Sequence, residues 1–178
     1  VGVAELVHEG GRITMLEVRI HSIAATQGGA CIVLLEEKDG GRVLPIVCGM
    51  AEGQALALCV SGFEPPRPMT HDLLVSVVDA LGGLVLRVVV TEVRDDTFYA
   101  RLHVERAEGE VSIDARPSDA LNVAVRSGVP IFVEEGVFDA VQGGRGPITE
   151  DEIERFRREL ETKSASEMFG ELEDRPGA

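Results

Sequence analysis

Two stretches, LEVRIHSIAA at residues 16–25 and LVLRVVVTEV at residues 84–93, decide the fold. Each is rich in β-branched residues with an apolar period of two rather than 3.6, which marks a strand. Each also opens a meander. In the first, Gly28 and Gly29 turn the chain, Ala30 to Glu37 runs back, residues 39–41 turn it again and Arg42 to Cys48 follows. In the second, Leu84 to Val93 is followed by Thr97 to Arg106 and by Glu110 to Asp114. Displacing the chain by 70 residues lays Leu16, Val18, Ile20 and Ile23 on Leu86, Val88, Val90 and Val93, and Ala30 and Ile32 on Ala100 and Leu102. A displacement of 67 lays Ile46 on Ile113 and Glu52 on Asp119, and one of 66 lays Ser61 and Gly62 on Ser127 and Gly128. Changes of hairpin length produce such drift, so the pattern predicts an internal duplication.

Helices follow each meander. Met50 to Val60 carries apolar residues without proline and stops at Ser61 and Gly62. After the proline-rich segment 63–69, Thr70 is expected to cap a helix from His71 to Leu81, ended by Gly82 and Gly83. Pro117 suits the first position of a helix to Arg126, closed by Gly128, with a short strand Pro130 to Val133 and a helical turn around Val137 beyond it. The expected class is therefore α+β, with units βββα, helix, βββα over residues 15–141. Residues 1–14 read as an irregular N-terminal arm or an expression remnant. Beyond a hinge at Gly143 to Gly146, residues 147–170 read as a helical tail: Thr149 and Glu152 form a capping box, and Ile153, Phe156 and Leu160 make a C-terminal amphipathic helix. That stripe needs a surface on its own domain or on a partner, so a homo-oligomer is expected.

Composition narrows the function. With 44% hydrophobic residues but only 4% aromatic, the core must be aliphatic and platforms for stacking bases are scarce. The net charge is −14, and residues 147–178, with ten acids and five bases, account for only part of it. A broad basic face for a polyanion is thereby excluded; any nucleic-acid contact rests on a local arginine cluster or on bound metal ions. Cys31, Cys48 and Cys59 lie in apolar runs without metal-ligand spacing and read as buried hydrophobes. No leader or membrane-length apolar stretch is visible, so a cytoplasmic protein without membrane contact is expected.

Two polar junctions stand out. The first is Arg67, Pro68, Met69, Thr70, His71, Asp72, where a cation precedes a helix start that favours an anion. Read structurally, Thr70 and Asp72 are simply caps. The second is Asp114, Ala115, Arg116, Pro117, Ser118, Asp119; its counterpart in the first unit is Val47 to Glu52, so only the acid of the first helical turn occurs in both. A shared acid is explained by the helix dipole, whereas Asp114 and Arg116 need another reason, a salt bridge or a site. The hairpin Asp95, Asp96, Thr97, Phe98, Tyr99 is mostly turn chemistry, and His21 and His103 stand singly on strands. No phosphate loop, serine elbow, zincin helix or dinucleotide fingerprint occurs, and no organic cofactor is expected.

These stretches resemble the bifunctional nuclease family, which is widespread in bacteria and fused to other modules in plants. The resemblance spans about Met15 to Val141. It rests on Leu44, Pro45, Ile46 with Gly49 and Glu52; on Arg67, Pro68, Thr70 to Leu73; on Thr97 to Ala100; and on Asp114 to Ala120 with Pro130 and Ile131. Gly53 departs from it, since the family usually has Ala after the acid. The resemblance implies hydrolysis of DNA and RNA. A mechanism consistent with it is metal-assisted, with Asp72, Asp114 and Asp119 as oxygen ligands of Mg²⁺ or Mn²⁺ and Glu52 as a weaker candidate. His71 would act as general base or leaving-group acid, and Arg67, Arg116 and Ser118 would bind the phosphate. Two rival readings are a non-enzymatic regulatory or oligomeric binding domain and an enzyme of a small phosphorylated ligand.

Overall fold

Both alternating runs are strands of one sheet in the computed structural model, which describes residues 3–8, 11–26, 28–39 and 41–142. In chain order the elements are β1 (Val3–His8), β2 (Gly11–Ala25), β3 (Ala30–Glu37), β4 (Val43–Gly49), α1 (Met50–Val60), α2 (Thr70–Ala80), β5 (Leu84–Arg94), β6 (Thr97–Arg106), β7 (Gly109–Ala115), α3 (Pro117–Ser127), β8 (Ile131–Glu134) and α4 (Glu135–Gln142). The strand order is β4-β3-β2-β8-β5-β6-β7, with β1 paired antiparallel to the start of β2. The two meanders thus occupy opposite ends of the sheet in reversed order about β8. Pairing of β8 with β2 is antiparallel, Val18 facing Ile131, and with β5 it is parallel, Val88 facing Ile131.

One expectation is corrected. Within the stretch expected to be an irregular arm, Val3–His8 is a strand that pairs residue by residue with Gly11 to Leu16, and Gly11 faces His8 across the ladder. The expected 130–133 strand and the helical turn around Val137 are present as β8, which joins the meanders, and α4, which places Val137 and Phe138 in the core. The expected helical tail, residues 147–170, lies outside the described residues.

Alternation assigns the faces. Cys31, Val33 and Leu35 of β3 meet Cys48, Ile46 and Leu44 of β4 on the side covered by α1. On the other meander Val88 and Val90 of β5 meet Leu102 and Ala100 of β6 on the side covered by α3, whose Leu121, Val123 and Ala124 are buried. Both cysteines expected inside the first meander are indeed buried and free, and Cys59 is half-buried. Burial, with the neighbouring Cys31 thiol and Glu52, pushes the Cys48 thiol up to about 11. Gly53 has a local cause. A Cβ there would lie 2.3 Å from the Cys31 Cβ and 2.5 Å from its Sγ, so α1 approaches β3 only because the position lacks a side chain.

Candidate functional site

Three helix starts meet at one place: those of α1, α2 and α3. At the start of α2 the expected cap is displaced by one residue. Met69, not Thr70, is the N-cap, and Asp72 turns back so that its Oδ2 accepts the Met69 N–H at 2.7 Å. The helix starts one residue earlier than expected, so Thr70 is already its first residue, and the carboxylate at the third helical position takes the N-cap amide. The other Asp72 oxygen accepts Arg126 Nε of α3 at 2.5 Å. The Met69 amide foremost, and Arg126 against the opposing effect of burial, hold the Asp72 carboxyl below its ordinary value.

One residue before Asp72, His71 turns inward and is only 8% exposed. Its Nε2 lies 3.1 Å from Asp119 Oδ1 on α3. Arg116, the N-cap of α3, closes back on the same carboxylate, with Nε donating to Asp119 Oδ2 at 2.7 Å and Nη2 to Oδ1 at 3.1 Å. Nη2 also donates to Glu52 Oε1 at 2.9 Å, in the first turn of α1. Burial alone would raise the Asp119 carboxyl; the hydrogen bonds from Arg116 and His71 outweigh it and hold the group below its ordinary value. Gly49 leaves room for this arrangement, since a Cβ there would lie 2.4 Å from Glu52 Oε2. Glu52 and Asp119 therefore do more than complement the starts of their helices: together they hold Arg116.

Beneath this network lie two residues absent from the sequence-based site. Asn122 is fully buried and donates from Nδ2 to the carbonyls of Glu52 at 3.0 Å and Ser118 at 2.9 Å. Arg126 donates to Asn122 Oδ1 at 2.8 Å, to the Asn122 carbonyl at 3.2 Å and to the Ala55 carbonyl at 3.1 Å, besides Asp72. Asn122 and Arg126 thus tie α3 to α1 and α2. The signal that finds them is helical spacing: Ser118, Asn122 and Arg126 recur every four residues along one face of α3.

Of the expected residues, the structure brings together His71, Arg116, Asp119 and Glu52, with Asp72 adjacent but committed to Arg126. Ser118 is buried in the first turn of α3 and is part of the packing. Arg67 is exposed and makes no hydrogen bond or ion pair among the described residues. Asp114 lies elsewhere. It faces Arg101 across the ladder, while its neighbour Ala115 faces the buried Ala100, so Asp114 points away from the helices.

That separation bears on a metal. Mg²⁺ or Mn²⁺ takes several oxygens at about 2 Å, and among the described residues no three His, Cys, Asp or Glu side chains group to supply them. Asp72 and Asp119 already accept from arginine or histidine, and Asp114 is on the other face, so these three aspartates do not fit a shared divalent ion. What the place offers an anion is three helix N-termini and an arginine that is 66% exposed.

The model of the bifunctional nuclease domain matches residues 33–143, from β3 through α4, and so takes in every residue of this network. The chain belongs to the bifunctional nuclease domain family. An uncharacterized protein of Mycobacterium tuberculosis is 37% identical over 164 residues, covering 86% of this chain and 98% of that protein. Bifunctional nuclease 1 of rice, Oryza sativa subsp. indica, is 31% identical over 109 residues, and bifunctional nuclease 2 of Arabidopsis thaliana is 33% identical over 109 residues. Both plant matches cover 60% of this chain and 33% of the plant protein, so this family domain is a third of each plant chain. No helix among the described residues is long and apolar enough to cross a membrane.

Proposed function

We propose that the chain is a nuclease that hydrolyses phosphodiester bonds of DNA and RNA at the junction of the three helix starts. The observation that carries the proposal is the chain of contacts from His71 through Asp119 and Arg116 to Glu52. With Nε2–H donating to Asp119, the imidazole keeps its lone pair on Nδ1, the arrangement a general base requires. DNA has no 2′-hydroxyl, so one mechanism for both polymers needs water as nucleophile. His71 Nδ1 takes the proton of that water as its oxygen forms a bond to phosphorus, and the bond to the leaving sugar oxygen breaks, that oxygen keeping the electron pair and taking a proton from solvent. Asp119 stabilises the imidazolium that results. Arg116 spends Nε and Nη2 on carboxylates but makes no hydrogen bond through Nη1 among the described residues, leaving two N–H donors for a phosphate oxygen. Arg67, one turn ahead of α2, supplies a second cation. No step is assigned to a metal, because the aspartates at hand do not fit one. The reversed order of the two meanders about β8 is what an internal duplication would leave, which would make Glu52 and Asp119 counterparts around one arginine.

A second reading has one observation in its favour. Arg116 bridges two carboxylates, so the network also works as a clamp between helices in a regulatory or binding domain, or as an anion pocket for a small phosphorylated ligand. Purified protein incubated with single-stranded DNA, duplex DNA and RNA, with and without chelator, separates the readings. Cleavage reduced at least about 100-fold by His71→Ala, with the circular dichroism spectrum kept, is the expected result. Equal degradation by wild type and His71→Ala would remove His71 from the mechanism, and nucleotide binding without cleavage would favour the small-ligand reading.

A further inference from the structure

α2 is apolar on two sides, and among the described residues only one of them packs on the domain. Its inner side presents His71, Val75 and Val78; Val75 and Val78 pack on the core, with Val78 so close to Val104 that a Cβ at Gly83 would lie 3.0 Å from both. The outer side carries Leu73, Leu74, Val77 and, at the C-cap, Leu81, which are 58%, 41%, 44% and 81% exposed. At 3.6 residues per turn these four and Ala80 fall within an arc of roughly 120°, as wide as the stripe by which a surface helix normally faces a core. No charged residue interrupts it, for Asp72 and Asp79 lie to one side. The four side chains expose on the order of 400 Å², as much as the largest apolar patch of a typical monomer and about half of one partner's share of a standard interface.

We infer that this face of α2 is the contact between two copies of the chain. The spacing is self-complementary. Leu73, Val77 and Leu81 are evenly placed about Val77, so a two-fold axis there sets Val77 against its own copy and Leu73 against Leu81 of the partner subunit, the isologous form that closed dimers take. Rows of residues four apart pack into one another at the commonest helix crossing, and antiparallel helices set each dipole against the other. The pairing also has a consequence for the candidate site: the C-terminal end of the partner's α2 borders the turn that carries His71. The inference does not rest on the nuclease reading, since the patch and its symmetry are properties of α2 alone.

The test is the mass of the full chain in solution, measured by light scattering and sedimentation over a concentration series. A mass near twice 19.1 kDa is expected, with Val77→Glu raising the dimer dissociation constant at least about 100-fold by placing two like charges on the axis. Because Leu81 is almost wholly exposed, Leu81→Glu leaves the monomer fold intact and should shift the equilibrium in the same direction, with the urea midpoint of the monomer unchanged. A monomer at about 100 µM would overturn the inference. A dimer that both substitutions leave unchanged would do the same, since the contact would then be elsewhere. If deleting the residues after Gly146 turns a monomeric full chain into a dimer, the chain's own tail occupies the face and the inference fails.

Discussion

Removing Arg126 should loosen the fold where α1, α2 and α3 meet. Its side chain is 7% exposed and that of its partner Asp72 is 31% exposed. Arg126→Met keeps the aliphatic stem but leaves the Asp72 carboxylate, Asn122 Oδ1 and the Ala55 carbonyl each short of a donor. Breaking a buried ion pair from one side costs about 3–5 kcal/mol. Asp72 retains the Met69 amide and some solvent, which places the expected loss at the lower end, about 3 kcal/mol. For a domain of this size each kcal/mol moves the thermal midpoint by roughly 2–4 °C, so a fall of roughly 6–12 °C is expected. Asp72→Asn preserves the shape and can still accept the Met69 amide. Combined in a double-mutant cycle with Arg126→Met, it should reveal a coupling of about 1–2 kcal/mol. Urea unfolding followed by circular dichroism measures both. A loss below about 1 kcal/mol for Arg126→Met, or a coupling below about 0.5 kcal/mol, would refute the view that this arginine locks α1, α2 and α3 together.

Other outcomes follow from the same contacts. Gly53→Ala should destabilise by about 1–3 kcal/mol despite the better helix propensity of alanine, because its Cβ meets Cys31 at 2.3 Å; a neutral or raised urea midpoint would contradict the close approach. Asp72 and Asp119 have folded-state pKa values below the ordinary 3.8, so their contribution is fully present above that value and is lost as pH falls through the lowered ones. The stability gap between wild type and Asp72→Asn should therefore be wide at pH 7 and shrink below about pH 4, and a gap unchanged at pH 3 would show that charge is not its origin. Asp119→Asn should reduce nucleolytic turnover at least about tenfold whereas Asp114→Asn leaves it intact, and equal losses in a plasmid-cleavage assay would place the site on the other face of the sheet.

How much of this was legible in the sequence depends on the range of the interaction. α1 is found at its expected limits because helix-end signals and apolar periodicity are local. β3 and β6 likewise begin and end where turn residues bound them. Asp114 was grouped with Arg116 on proximity in the chain, although strand alternation sends residues 114 and 115 to opposite faces. Arg126 reads as an ordinary last-turn cation; besides Asn122 one turn away, its partners lie 54 and 71 residues away, and nothing local announces those two. The sequence offers Glu52 only as a weaker candidate beside His71 and Asp119. Its role follows from the packing of α1 against α3, a tertiary fact that propensity does not encode.

The place of β8 fixes the order in which the molecule can be completed. Four residues, 131–134, form the seam between β2 and β5, and they are made after both meanders. Until Ile131 to Glu134 leave the ribosome, each half-sheet ends in an open edge of Val and Leu backbone groups, the kind of edge that recruits other chains. Joining residues 15–18 to residues 131–134 closes a loop of more than a hundred residues, a slow step in a topology dominated by distant pairings. A nascent chain cut short before residue 131 is therefore two sticky halves rather than a smaller domain, and the cell's exposure to its aggregation lasts until β8 arrives.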